Sequence, residues 1–197
     1  MWPVSKGATL RYPQPAGPDE RRHRFEEVYA ANHGPILGYV LRRTQSPHDA
    51  ADVIAETFLT AWRRLDDVPS GDEARLWLYG AARRVLANHH RGERRRSVLS
   101  DRLGAELTGA YLMPEYTGEL AEIAAAFRGL PEADRELLAL IAWEGLDHGQ
   151  VAAVLGCSRN AVRIRLHRAR RRFADMLARH QALPQPTRAH ITNGGPA

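Results

Sequence analysis

Asp147–Phe173 reads DHGQVAAVLGCSRNAVRIRLHRARRRF, and the reading of this stretch decides the fold. Asp147 can cap a helix, and Gln150, three residues later, can return a hydrogen bond to the cap backbone. Val151, Ala152, Val154 and Leu155 supply the apolar face of that short helix. Gly156 then closes it, because glycine enters the left-handed conformation without steric cost, and Ser158 is placed to cap the next helix. Two helices joined by so short a turn form a helix-turn-helix.

In the second helix Val162, Leu166, Ala169 and Phe173 recur at steps of four, three and four, which predicts one buried stripe. Asn160, Arg163, His167 and Arg170 form another. It begins at the helix N-terminus, where a recognition helix meets base edges, and its side chains can bond to guanine or adenine. Arg159 opens the helix, and Arg165, Arg168, Arg171 and Arg172 flank the stripe in positions that suit phosphates. A solvated basic helix is the competing reading. Such a face mixes its signs, whereas residues 159–172 hold seven arginines and no acid, so DNA binding is the expectation.

The whole chain supports a polyanionic partner: its net charge is +5, its pI is about 9.9, and every basic residue except Lys6 is arginine. The charge is uneven. Six arginines face only Glu93 within residues 83–96, while residues 97–118 set Arg102 against Asp101, Glu106 and Glu115. With 197 residues, 44% of them hydrophobic, one or two domains with real cores are possible. No stretch is apolar enough to span a membrane and the N-terminus lacks a secretory apolar region, so the protein is expected in the cytoplasm. Cys157 is the single cysteine, which excludes an internal disulfide and a cysteine-based zinc cluster; it reads as a small turn residue. His89 and His90 are adjacent and the other histidines scattered, so no metal is expected.

Residues 1–20 carry Pro3, Pro13, Pro15 and Pro18 and read as a disordered arm. A helical pattern follows from Arg21 through Phe25, Val28, Tyr29, Ile36, Leu37, Val40 and Leu41, with a new helix expected to begin at Gly34-Pro35. The helix from Asp49 to Leu65 should bury Val53, Phe58, Ala61 and Trp62 and present Asp49, Asp52 and Glu56 on its other face. On spacing alone that acidic stripe serves solubility or a basic partner. After the polar loop Asp66 to Glu73, a helix from Ala74 to about Arg91 carries Leu76, Trp77, Tyr79, Val85 and Leu86. Trp77 and Tyr79 are either core or platforms for unpaired bases.

Residues 97–118 lose periodicity and are broken by Gly104, Gly109, Pro114 and Gly118, as in a linker. Fully extended it would reach about 70 Å and let the two basic patches grip separate sites on one duplex. Two further helices, with Pro131 at the first position of the second, should bury the back of the helix-turn-helix through Ile123, Phe127, Leu130, Leu137, Leu138 and Ile141. Residues 179–197 are polar and rich in Pro and Gly, as in a mobile tail.

From about His23 to Phe173 the chain resembles a bacterial extracytoplasmic-function sigma factor. SPHDAADVIAETFLTAWRRL resembles region 2.2, and ARLWLYGAARRVLANHHRGERRR resembles regions 2.3 to 2.4. LPEADRELLALIAWEGLDHGQVAAVLGCSRNAVRIRLHRARRRF resembles regions 4.1 and 4.2, the most specific of the three. The resemblance implies an all-α fold of two helical domains, region 2 at 21–96 and region 4 at 119–178, joined by the 97–118 linker. It implies that Asp49, Asp52 and Glu56 dock on the clamp of the beta-prime subunit of core RNA polymerase. It implies that Arg83, Arg84, Asn88, Arg91, Arg94 and Arg95 engage the minus-ten element of promoter DNA, and that the helix from Arg159 reads the minus-thirty-five element. An anti-sigma factor is a further implied partner. Three residues depart from the family pattern: Ala55 where Gln is frequent, Arg84 where Asn is common, and Ile164 where a small polar residue is usual.

The function expected is promoter-specific transcription initiation with no catalytic site, cofactor or small-molecule substrate in this chain. The alternative is a helix-turn-helix repressor or activator that works without the polymerase. No paired carboxylates, phosphate-binding glycine loop or nucleophile with a base supports an enzyme.

Overall fold

A computed structural model describes residues 17–100 and 118–182, with side chains described for residues 17–92 and 118–181. Among the described residues there are helices and no strand. They are α1 (Pro18–Leu41), α2 (Pro47–Arg63), a short 3-10 turn (Leu65–Asp67), α3 (Asp72–Ser100), α4 (Glu119–Arg128), α5 (Glu132–Ala142), α6 (His148–Leu155) and α7 (Arg159–Ala182). The expected arm, linker and tail fall largely on residues 1–16, 101–117 and 183–197, outside the described residues.

Helix α1 does not break at Gly34-Pro35, contrary to expectation, and Pro35 lies inside it. Proline removes one backbone hydrogen bond. Ile36, Tyr39 and Val40 just beyond it are fully buried, on the stripe that Phe25 and Val28 begin. Burying three such side chains is worth several kcal/mol at about 1.5–3 kcal/mol each, which outweighs the one bond. Helix α2 starts at Pro47 behind Ser46, whose hydroxyl oxygen accepts from the Asp49 amide at 3.1 Å. It buries Val53, Phe58 and Ala61 as expected. Trp62 is not buried: 37% of it is exposed, and it packs edge-on against Phe25 with the Arg21 guanidinium over its ring. Helix α3 buries Leu78, Tyr79, Ala82 and Leu86 against α1 and α2.

In the second half, Pro131 precedes α5 as its N-cap rather than occupying the first helical position. Phe127 of α4 meets Phe173 of α7 edge-on and packs beside Trp143, and Leu130, Ala139 and Met176 complete that small core. Ile123 stays 39% exposed, so it does not share in the burial expected of it.

The two halves are docked on each other. Helix α3 packs against α6, and one continuous apolar cluster runs from Ile36, Tyr79 and Leu86 through Leu137, Leu140, Leu146 and Val151 to Leu166 on α7. The halves thus meet directly, while most of the linker whose reach was expected to separate them lies outside the described residues. Apolar burial favours this contact.

Candidate nucleic-acid interface

The helix-turn-helix is built as its residues dictate. The Asp147 carboxylate accepts from the amides of Gly149 and Gln150, and the Gln150 side-chain oxygen accepts from the Asp147 amide at 2.9 Å. These bonds, that from the Gln150 amide foremost, hold the exposed Asp147 carboxyl below the usual range. Gly156 sits at φ 64°, a left-handed turn, and the Cys157 amide reaches back to the Ala152 carbonyl at 3.0 Å. Ser158 then caps α7 by accepting from the Ala161 amide at 3.1 Å.

Val162, Leu166 and Ala169 bury one side of α7, with Phe173 half-buried behind them. Arg159, Asn160, Arg163, Arg165, His167, Arg168, Arg170, Arg171 and Arg172 are all exposed. They do not stand alike. The Arg163 guanidinium donates to the Asn160 side-chain oxygen at 3.1 Å, so these two form one polar unit at the helix start. Arg172 is joined to the nearly buried carboxylate of Asp134 on α5 and thereby ties α7 to its scaffold. Spacing alone groups it with the phosphate-facing arginines, since nothing in the sequence brings Asp134 beside it.

The acidic stripe of α2 also divides. The side chains of Asp52 and Glu56 are 64% and 51% exposed, beside His48 and Arg63 at 3.7 Å each. Asp49 lies inward, accepting from the Ser46 hydroxyl at 2.7 Å with His89 of α3 at 3.4 Å. Asp52, Glu56, Arg84 and Asn88 share the walls of one groove of about 660 Å³ between α2 and α3. Arg83, Arg84, Asn88 and Arg91 are exposed on α3, with Arg91 donating to the Asn88 side chain. Arg94 and Arg95 lie on the same helix, beyond the residues whose side chains are described. Tyr79 is buried and therefore core rather than a platform for bases, and Trp77 packs half-buried against the same core.

A cluster that the sequence did not signal joins the halves. Arg42 and Arg43 at the end of α1 meet Glu144 after α5 and Glu136 within it, with Tyr39 and Tyr79 alongside. Burial, reinforced by Glu144, pushes the Tyr79 phenol up to about 12. Its members lie far apart in the chain, so no local pattern could have linked them. Among the described residues no group of His, Cys, Asp and Glu could hold a metal ion, and no helix is long and apolar enough to cross a membrane.

Two helical bodies, the second ending in a capped helix-turn-helix with an arginine-covered face, define a class of two-part DNA-reading factor. Residues 28–96 match the family model of sigma-70 region 2, and residues 120–173 match that of sigma-70 region 4. The chain is 32% identical over 157 residues to RNA polymerase sigma factor NccH of Alcaligenes xylosoxydans xylosoxydans, covering 76% of this chain and 84% of NccH. It is 33% identical over 159 residues to CnrH of Cupriavidus metallidurans, covering 75% and 83%. Solved structures agree. CnrH in complex with the cytosolic domain of CnrY superposes with a TM-score of 0.53 at 27% identity, over 80% of this chain and 90% of that one. The sigma factor RpoE of Bartonella quintana, solved with the anti-sigma factor NepR, shares the fold with a TM-score of 0.58 at 22% identity, over 80% and 96%. The chain belongs to the extracytoplasmic-function sigma factors of the sigma-70 family.

Proposed function

We propose that this sigma factor uses residues 21–96 to hold core RNA polymerase and the minus-ten element, and residues 119–178 to read the minus-thirty-five element. Asp52 and Glu56 meet the clamp of the beta-prime subunit, since both carboxylates project from α2 into solvent. Asp49 supports them from within through Ser46 and His89. Arg83, Arg84, Asn88 and Arg91 lie against promoter DNA near the start site, with Arg94 and Arg95 continuing the same helix. The observation that carries the reading is the face of α7, where exposed Asn160, Arg163, His167 and Arg170 form a stripe that begins at the turn end and runs beside the buried stripe of Val162 and Leu166.

The chain acts where the polymerase acts, in the cytoplasm, and brings no catalytic group of its own; bond formation belongs to the polymerase. An anti-sigma factor holds it inactive. Support for that comes from CnrH, a relative solved bound to the cytosolic domain of another protein. Purified chain added to core polymerase should direct initiation from a selected promoter that core alone ignores. A chain that binds that DNA by itself and fails to enter the polymerase would instead be a free-standing repressor or activator.

A further inference from the structure

Helix α7 carries one large apolar side chain that stands exposed among its described residues. Ile164 is 44% exposed, while Val162 and Leu166 on either side of it in sequence are buried. At 3.6 residues per turn it points about 200° away from Val162, along the middle of the outward face. Asn160 lies one turn before it, His167 and Arg168 one turn after, and Arg171 one turn beyond those. Each of these neighbours offers hydrogen bonds or charge. Ile164 offers neither.

A single exposed isoleucine on a protein surface needs no explanation. This one lies in the first two turns of a helix whose start is the part that enters the major groove in a helix-turn-helix. There every base-pair edge presents donors and acceptors, and the one apolar group is the C5 methyl of thymine. An isoleucine brought against a phosphate or a purine edge would strip water from polar atoms and return no bond. Against a thymine methyl it buries apolar surface on both sides.

We infer that Ile164 selects a thymine within the upstream promoter element by packing on its C5 methyl group. The inference rests on the reading of α7 as the minus-thirty-five helix and adds a base contact that hydrogen-bonding residues cannot make. Arg163 and Asn160, linked to each other beside it, read the adjoining base edges.

The test uses the reconstituted holoenzyme. A promoter library with a randomised upstream element is selected on the parent, and each thymine of the selected element is then replaced in turn by deoxyuridine, which lacks only the methyl. At one position the parent should lose about fourfold in promoter binding, the worth of one buried methyl-sized group. Holoenzyme carrying Ile164→Ser should show no difference between thymine and uracil there, and Ile164→Val should retain the discrimination. The substitution is at an exposed position, so the helical circular dichroism should not change. A parent indifferent to every uracil replacement overturns the inference, as does Ile164→Ser holoenzyme with the full methyl effect. A holoenzyme that selects no upstream sequence at all overturns the minus-thirty-five reading itself, and the inference with it.

Discussion

The Arg43 Nε donates to Oε2 of Glu136 at 2.8 Å, joining the end of α1 to α5 across 93 residues of sequence. The Tyr39 hydroxyl donates to the other oxygen of Glu136 at 2.7 Å, and the Arg43 guanidinium lies 3.6 Å from the Tyr39 ring centroid. Arg42 donates to both oxygens of Glu144, whose side chain is 3% exposed. The pairs are largely out of water and add little net stability, because desolvation offsets most of the attraction, but a charge left there without its partner is costly. The apolar cluster supplies most of the attraction between the halves, and the ion pairs match their charges across the seam.

Removing one member should therefore be costly. Arg43→Met leaves Glu136 and part of the Glu144 environment without their cation, a loss of about 3–5 kcal/mol for a buried pair. Small-angle scattering should show a larger radius of gyration than the parent, with unchanged helical content. A radius identical to the parent would mean that the apolar contact alone fixes the docking.

Tyr79 should ionise above the ordinary tyrosine range. Its pKa is raised from 10.0 to about 12, first by burial and then by Glu144. The proton is held more tightly in the folded chain, so this contribution to stability is complete below about pH 10 and is lost as pH rises toward 12. Ultraviolet titration of the phenolates should show a late component that Tyr79→Phe reduces by one phenol. A titration with no late component would mean that the docked interface is open to water.

Asp52→Arg together with Glu56→Arg should weaken binding to core polymerase more than tenfold and leave the circular dichroism spectrum unchanged. Both side chains are more than half exposed, so charge reversal disturbs no core. Asp49→Ala should behave differently and lower the melting temperature, because Asp49 holds the start of α2 and faces His89. Unchanged polymerase affinity in the double reversal would remove the docking assignment.

Arg171 and Arg172 are neighbours that should differ. Arg171→Ala should reduce the salt dependence of DNA binding by about one unit of slope, the change expected when one phosphate is no longer neutralised. Arg172→Ala should leave the slope closer to the parent and lower thermal stability, since its guanidinium holds Asp134. Equal slopes for the two variants would make Arg172 a phosphate-binding residue as well.

Arg163→Ala should cost about 1–3 kcal/mol on the selected upstream element and much less on random duplex, as for the removal of a pair of bonds to a base. Repeating the selection with this variant should return a relaxed consensus. The same consensus with uniformly weaker binding would place Arg163 on the backbone.

The chain's own sequence determined the local devices. The cap at Asp147, the left-handed Gly156, the cap at Ser158 and the buried stripe of Val162, Leu166 and Ala169 were all legible, because each depends on residues within about four positions of one another. The helical halves followed from the same periodicity. Tertiary structure decided the rest. It carried α1 through Pro35, because the packing of Ile36, Tyr39 and Val40 in the shared core outweighs a local rule. It drew Asp49 inward beside His89 while Asp52 and Glu56 stayed in solvent, and it tied Arg172 to Asp134. It also brought Arg42 and Arg43 to Glu136 and Glu144, a meeting of charges that no helical period encodes, since burial and charge pairing act between side chains that only the folded chain makes neighbours.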